Sequence, residues 1–281
     1  MKMKAKVAVI GINGMLGNTV FRVLQDSNLN VTGISRKELD AETAAFADIE
    51  KVVACYDYIV NCIGIIKPYI HDTHSGEVER AIAVNALFPH KLARCGIKVI
   101  QIATDCVYDG VKGNYIETDK HNATDVYGKT KSLGEVISDA FLNLRCSIIG
   151  LEKNHKKSLL EWFLNQPDNV EVNGFKNHYW NGISTIAFAK ICKGIIENNS
   201  WFHGVQHVIP DSVLLKSDML KVFARVFNRA DININDTDAE IAIDRTLSTL
   251  NEVQNRTLWE IAGYKKIPTI ENLIEEIKTY G

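Results

Sequence analysis

The chain has 281 residues, 46% of them apolar and 23% charged, with a formal net charge of -2. That is enough chain for a full hydrophobic core at the ordinary composition of a globular protein, and the near-neutral balance argues against a general nucleic-acid binder while leaving room for a local basic pocket. No apolar run approaches the ~20 residues that span a bilayer, so neither nucleic acid nor membrane is an expected partner.

The opening MKMKAKVAVIGINGMLG has lysines and then apolar residues, as a secretion leader does. Glycines and Asn13 break the run and no small-residue cleavage site follows, so it reads as a first strand and its turn. KVAVIGI is a continuous β-branched run ended by glycine, the pattern of a buried strand. The spacing of Val20, Phe21, Val23 and Leu24 predicts a helix over 18–25. NVTGISR is a second strand. A helical pattern through Val53, the strand DYIVNCIG, a helix around AIAVNALFPHKLARCG and the strand KVIQIAT follow. A polar stretch over 105–125 leads into TDVYGKTKSLGEVISDA, read as a helix, and then the strand FLNLRCSIIG. In the second half EVNGFKNHYWNGIS reads as an aromatic loop, TIAFAKICKGIIEN as a helix and GVQHVIP as a strand. LKSDMLKVFARVFNR is an amphipathic helix and IENLIEEIKTY a terminal one.

Strands alternating with helices imply an α/β fold, a doubly wound Rossmann-type parallel sheet covered on both faces. Residues 1–150 are the expected dinucleotide-binding domain. Residues 151–281 are expected to form mainly a smaller C-terminal substrate-binding lobe, with some elements packing back on the sheet. The cysteines Cys55, Cys62, Cys95, Cys106, Cys146 and Cys192 form no C-x-x-C pair, and most sit in apolar segments. They read as reduced thiols of a cytoplasmic protein. His71 and His74 are spaced H-x-x-H, but no acidic or cysteine partner follows at metal spacing, so no metal is expected.

GINGMLG places Gly11, Gly14 and Gly17 directly after a strand and at the opening of a helix. Glycines there permit a tight turn and close approach of a ligand, and the helix start offers free N–H groups to a pyrophosphate. Asn13, Met15 and Leu16 belong to the same expected cradle. At the end of the second strand an acidic residue would suit the ribose of NAD. The chain has Ser35, Arg36 and Lys37 instead, a hydroxyl and two cations that favour the 2′-phosphate of NADP, with NAD as the alternative. Asp48 and Ile49, in ADI, are placed near the adenine by position alone.

Tyr127 stands four residues before Lys131, so on a helix the two share a face. A free phenol has a pKa of ~10; an ammonium beside it favours the phenolate and lowers that value. Such a pair could exchange a proton with a ketone or alcohol beside a nicotinamide.

GINGMLG, NCIG, VNAL, IATDCVYDG, YGKTK and LNLRCSIIG stand in the order seen in extended short-chain dehydrogenases/reductases. Within that superfamily the chain most resembles the dTDP-4-dehydrorhamnose reductases and related sugar-nucleotide 4-ketoreductases. Their signature, a strand ending Ser/Ala-Thr-Asp and then aromatic-Asp-Gly, is matched by Ala103-Thr104-Asp105 and Tyr108-Asp109-Gly110. The resemblance implies that Thr104 hydrogen-bonds the reacting oxygen, that Tyr127 donates the proton, and that Lys131 binds the nicotinamide ribose and holds down the tyrosine pKa. It further implies that Cys62, Ile63 and Gly64 run beside the ribose and nicotinamide, and that Asn85 supports the neighbouring strand. On the substrate side, Asp105, Cys106 and Arg245 follow by position, Arg245 in a segment whose family arginine approaches the substrate pyrophosphate. Trp180 is read either as a stacking partner of base or sugar or as a residue packed on the lobe. Lys67 and His178 are lesser candidates. Cys106, NCIG and HYWNGIST depart from the family pattern as substrate-side positions.

The implied activity is NADPH-dependent reduction of a 4-keto-(6-deoxy) nucleotide sugar; the sequence does not give the oligomeric state, and a homodimer is one state open to the chain, since relatives are often dimers. Two alternatives stay open. A nucleotide-sugar epimerase or dehydratase would retain its cofactor, an outcome that ISRK disfavours and Asp105 permits. A non-catalytic NADP-binding protein, like the regulatory subunit of methionine adenosyltransferase, would lack turnover; the intact Thr104, Tyr127 and Lys131 set argues against it.

Overall fold

In β1 (Lys6–Ile10) the side chains alternate, Val7 and Val9 joining one buried cluster and Ala8 and Ile10 another, so both faces of the strand are covered. A computed structural model describes residues 4–153 and 156–280; the first three residues of the opening stretch lie outside them. After β1 come α1 (Met15–Gln25), β2 (Asn30–Ile34), α2 (Phe46–Val53) and β3 (Tyr58–Asn61). Next are α3 (Ser75–Ala81), a π-helical turn (Ile82–Leu87), α4 (Phe88–Ala93), β4 (Lys98–Ala103), α5 (Val126–Leu133) and β5 (Phe141–Arg145). The second half holds β6 (Ile148–Ile149), α6 (Leu159–Leu164), β7 (Glu171–Phe175), β8 (His178–Trp180), β9 (Ile183–Ser184), α7 (Thr185–Glu197) and β10 (Gly204–His207). It continues with β11 (Leu214–Leu215), α8 (Lys216–Val226), β12 (Asn233–Thr237), β13 (Ile243–Asp244), α9 (Glu252–Ile261) and α10 (Ile270–Tyr280).

The main sheet runs β10-β5-β4-β3-β1-β2, every pairing parallel. Helices α1, α7 and α9 cover one face through Val20, Leu24, Phe188, Ile191 and Trp259. The other is covered by α2, the π turn and α4 through Ile49, Val53, Val84, Phe88 and Leu92. The strand order changes direction between β1 and β3, which opens a crevice at their carboxyl ends, the usual ligand position in such sheets. A third cluster, with Phe163, Trp180, Phe223 and Ile274, is the core of the smaller lobe. No helix among the described residues is long and apolar enough to cross a membrane.

Two expectations are corrected. The helix expected through EVISDA stops at Leu133, because Gly134 crosses the π turn so closely that a Cβ there would stand 1.9 Å from the Asn85 carbonyl oxygen. The stretch read as an aromatic loop is instead β7, β8 and β9, paired respectively with β12, with β11 and β13, and with β6. The partners of these short strands lie far away in sequence, so local alternation alone could not reveal them.

Candidate active site

Gly11 leaves β1 at φ +90°, a backbone conformation that suits glycine. Its N–H donates to the Ile34 carbonyl at 2.9 Å, and its own carbonyl accepts from Gly14 N–H at 3.0 Å. Gly14 is the N-cap of α1 and offers no side-chain cap, so the N–H groups of Met15, Leu16 and Gly17 have no intrahelical acceptor. A Cβ on Gly17 would lie 2.1 Å from Gly11 O, whereas one on Gly14 would meet that oxygen at 3.5 Å, ordinary contact. The third glycine thus serves helix–strand packing, and the first two leave a cradle that fits a diphosphate. Gly17→Ala is expected to lose roughly 2 kcal/mol or more of stability, and Gly14→Ala no more than about 1 kcal/mol, when the two are compared by denaturant unfolding.

The groove above this turn is lined by Gly11, Asn13, Gly14, Ser35, Arg36 and Ile63, among others. Leu16 contributes only its backbone, since its side chain is buried in the core. Lys37 is exposed and absent from the groove wall. Asp48 and Ile49 are also misplaced by the sequence reading. Asp48 accepts from Ala45 N–H at 3.1 Å and caps α2, while Ile49 is fully buried. The groove wall there is made by Leu39, Asp40, Ala41 and Glu42.

Beyond β3 the chain at Ile63 and Gly64 lies against the glycine turn: a Cβ on Gly11 would come 2.9 Å from Ile63 Cγ1. Cys62 is partly buried and packs on the core, and burial pushes its thiol well above the ordinary range. Asn85 holds this loop from behind. Its Oδ1 accepts from Ile65 N–H at 2.8 Å, and its Nδ2 donates to Ile65 O at 3.0 Å and Thr130 Oγ1 at 3.3 Å. The π turn that carries Asn85 is a device found often at functional sites.

Helix α5 is pressed onto the turn after β4. Asp125 caps it, accepting from Gly128 N–H at 2.7 Å, and is itself paired with Lys67 at 2.7 Å. A Cβ on Gly128 would stand 2.4 Å from Cys106 O, so glycine in YGKTK permits the contact. Lys131 is buried and its Nζ donates to Ile102 O at 3.0 Å; a Cβ on Gly64 would lie 3.8 Å from the same nitrogen. The ammonium therefore sits between the ends of β3 and β4, and burial lowers its pKa to about 8. Tyr127 lies at the same place, near enough to Thr104 for that hydroxyl to favour its ionised form. Burial nevertheless wins and raises the phenol well above its ordinary value, with Cys106, Asp105 and Asp125 adding to the effect. The Lys131 ammonium is turned to the Ile102 carbonyl, and desolvation is the largest influence on the phenol.

Thr104 donates to Asp105 Oδ1 at 3.1 Å and accepts from Cys106 N–H at 3.2 Å. Asp105 is buried, which raises its pKa, while Arg245 and Lys216 pull it down. Burial likewise pushes the Cys106 thiol up to about 12. Arg245 donates to the Tyr108 carbonyl at 2.9 Å and the Asp109 carbonyl at 3.2 Å, so the aromatic-Asp-Gly turn orients it toward Asp105. Trp180 is only 7% exposed, packs in the lobe core and donates to Ser147 Oγ at 2.8 Å; its stacking role is withdrawn. His178 is tied to the Ile241 carbonyl at 3.0 Å and packs at a tilt of 50° against Phe175.

A family model described as the RmlD substrate binding domain matches residues 5–208. The chain belongs to this family. Among solved structures, a dTDP-4-dehydrorhamnose reductase from Bacillus anthracis in complex with NADP is similar over 99% of this chain and 100% of that one, with a TM-score of 0.81 and 18% identity; it attests the fold. A dTDP-4-dehydrorhamnose reductase from Aggregatibacter actinomycetemcomitans is 29% identical over 146 residues, 47% of this chain and 46% of that protein. Methionine adenosyltransferase 2 subunit beta from Bos taurus is 28% identical over 138 residues, 46% of this chain and 41% of that protein. The chain thus spans less than half the length of these curated relatives.

The site and its surroundings hold residues that sequence reasoning missed. Lys216, the first residue of α8, comes from the lobe to face Asp105 and Cys106. Among the described residues its ammonium has no hydrogen-bond partner. A lysine opening an amphipathic helix reads as a solvated cation; only the β11-β8-β13 pairing carries it to the site. Arg145 was equally hidden inside an apolar strand. It is 1% exposed and donates to Glu135, to Tyr108 Oη at 2.6 Å, to His207 Nε2 at 2.7 Å and to His121 Nε2 at 2.8 Å.

Proposed function

We propose that the protein reduces the keto group of a nucleotide-linked sugar, a 4-keto-6-deoxy sugar being the first candidate, with NADPH as reductant. The observation that carries this reading is the meeting of Thr104, Tyr127 and Lys131 at the ends of β3 and β4, beside the glycine cradle. NADPH, when bound, would supply hydride to the carbonyl carbon. Thr104 would hydrogen-bond the carbonyl oxygen and Tyr127 would deliver the proton to it as charge develops there. A phenol kept neutral by burial suits the acid's part in a reduction. Lys131, beside Gly64, would hydrogen-bond the ribose and so fix the nicotinamide against the substrate.

On the other side of the reacting carbon, Arg245 and Lys216 offer two cations to a sugar diphosphate. Lys216→Met is expected to raise the KM for the nucleotide sugar about 10-fold, the size of a lost hydrogen bond to a charged group, with NADPH affinity unchanged. The test is NADPH oxidation by the purified protein against a panel of keto nucleotide sugars. Turnover in wild type with a raised KM in the variant supports the reading; NADPH binding without turnover across the panel removes it. That second outcome would favour a regulatory role of the kind named for the Bos taurus relative.

A further inference from the structure

The mouth of the groove carries charges that neither the glycine cradle nor the Thr104, Tyr127 and Lys131 set explains. Arg36, just after β2, reaches Asp40 through Nε at 3.0 Å and Glu42 through Nη2 at 2.9 Å. Arg80 comes from α3, and its Nε lies 3.2 Å from the same Glu42 Oε2. Both guanidiniums line the groove with Gly11, Gly14 and Gly64. One carboxylate oxygen thus holds two arginines from separate elements side by side, at the strand end where the adenosine ribose sits in such folds.

The two carboxylates are not equivalent. Asp40 is built into its turn, its Oδ1 accepting from Glu42 N–H at 3.1 Å. The Glu42 carboxylate, among the described residues, has only the two guanidiniums as partners. It can swing away without breaking any backbone bond. Each guanidinium presents donors in a planar fork matched to phosphate oxygens, and a phosphate monoester has enough oxygens to take both forks.

We propose that Arg36 and Arg80 together form the receptor for the 2′-phosphate of NADPH, with Glu42 as a displaceable stand-in that keeps the two cations together until the phosphate arrives. The proposal rests on the dinucleotide reading of the groove. With Asp40 and Glu42 opposite two arginines the site is neutral at rest, so the phosphate must exchange places with a carboxylate. NADH, lacking that phosphate, leaves Glu42 where it is. Arg80 would then discriminate between the two cofactors while standing outside ISRK, the segment from which their discrimination is ordinarily read.

The test is direct calorimetric binding of NADPH, NADH and 2′,5′-ADP to the 281-residue chain, to Arg80→Met and to Glu42→Gln. Arg80 is 44% exposed along its side chain, so its loss should leave the fold intact. Arg80→Met is expected to weaken NADPH and 2′,5′-ADP by about 10- to 100-fold and NADH by less than about twofold. Glu42→Gln should tighten NADPH relative to NADH. Equal weakening of both dinucleotides in Arg80→Met, or none, overturns the receptor; Glu42→Gln that leaves the ratio unchanged overturns the stand-in. Wild-type protein that binds neither dinucleotide overturns the reading of the groove itself, a result distinct from failure of the arginine pair alone.

Discussion

Tyr127→Phe is expected to lower turnover of a keto nucleotide sugar by about 10³-fold, within the span that a positioned proton donor contributes, while NADPH affinity stays within about twofold of wild type. The substitution removes one oxygen and keeps the ring, so α5 and its contact with the turn at Cys106 should survive. Burial raises the pKa of the phenol in this structure, so the function removed is that of an acid. Thr104 keeps its own bond to Asp105, which argues against its taking over the proton. Stopped-flow single turnover separates the two effects: the hydride step should slow while the binding phase is unchanged. A variant that turns over at the wild-type rate would remove Tyr127 from the chemistry altogether.

Arg145→Met should cost about 3–5 kcal/mol of stability, the penalty for stranding a buried carboxylate. Glu135 is the carboxylate left behind, its side chain only 6% exposed. The guanidinium can only donate, so the facing Nε2 atoms of His207 and His121 must accept, and both rings must be neutral with the proton on Nδ1. His207 then donates to the Ser248 carbonyl at 2.6 Å and His121 to Ser132 Oγ at 2.7 Å. Burial drives the His207 pKa down to about 4 and lowers that of His121. The unfolded chain therefore binds more protons than the native one between an ordinary histidine pKa of ~6.5 and about 4. Stability contributed by these rings is present above that window and is lost as pH falls through it. Urea titrations of wild type and Arg145→Met across this range measure both effects. A loss under about 1 kcal/mol would mean that Glu135 finds solvent or a new partner, contrary to its burial. Arg145→Lys should not rescue the variant, because a single ammonium cannot bridge Glu135, Tyr108 and two imidazoles.

Much of this architecture was legible because its signals are local. GINGMLG names a turn that glycine alone permits, and KVAVIGI and DYIVNCIG are apolar enough to be central strands without help. YGKTK places Tyr127 and Lys131 on one face by spacing. What the sequence hid is what depends on distant partners. Trp180 could be rim or core until Ser147 and Gly182 were seen packed around it. Asp48 resembled an adenine contact, yet a carboxylate three residues into a helix also satisfies the cap, and here the cap won. The ionisation of Tyr127 depends on how much water is excluded and where the Lys131 ammonium is turned, neither of which spacing encodes. Lys216 and Arg80 reach their places through β8 pairing and the packing of α3, so no window of sequence around them could announce a site.

The parallel pairing of β10 with β5 limits how this chain can be recombined with its relatives. A cassette ending near residue 150 would carry the glycine turn, Thr104, Tyr127 and Lys131, yet it would expose β5 as a bare edge and take His207 from Arg145. It would also strip α7 from α1. The family match closes at residue 208, just after β10. A workable chimaera must therefore splice beyond that strand, and any exchange of the segment between β5 and α7 would have to leave 185–208 in place.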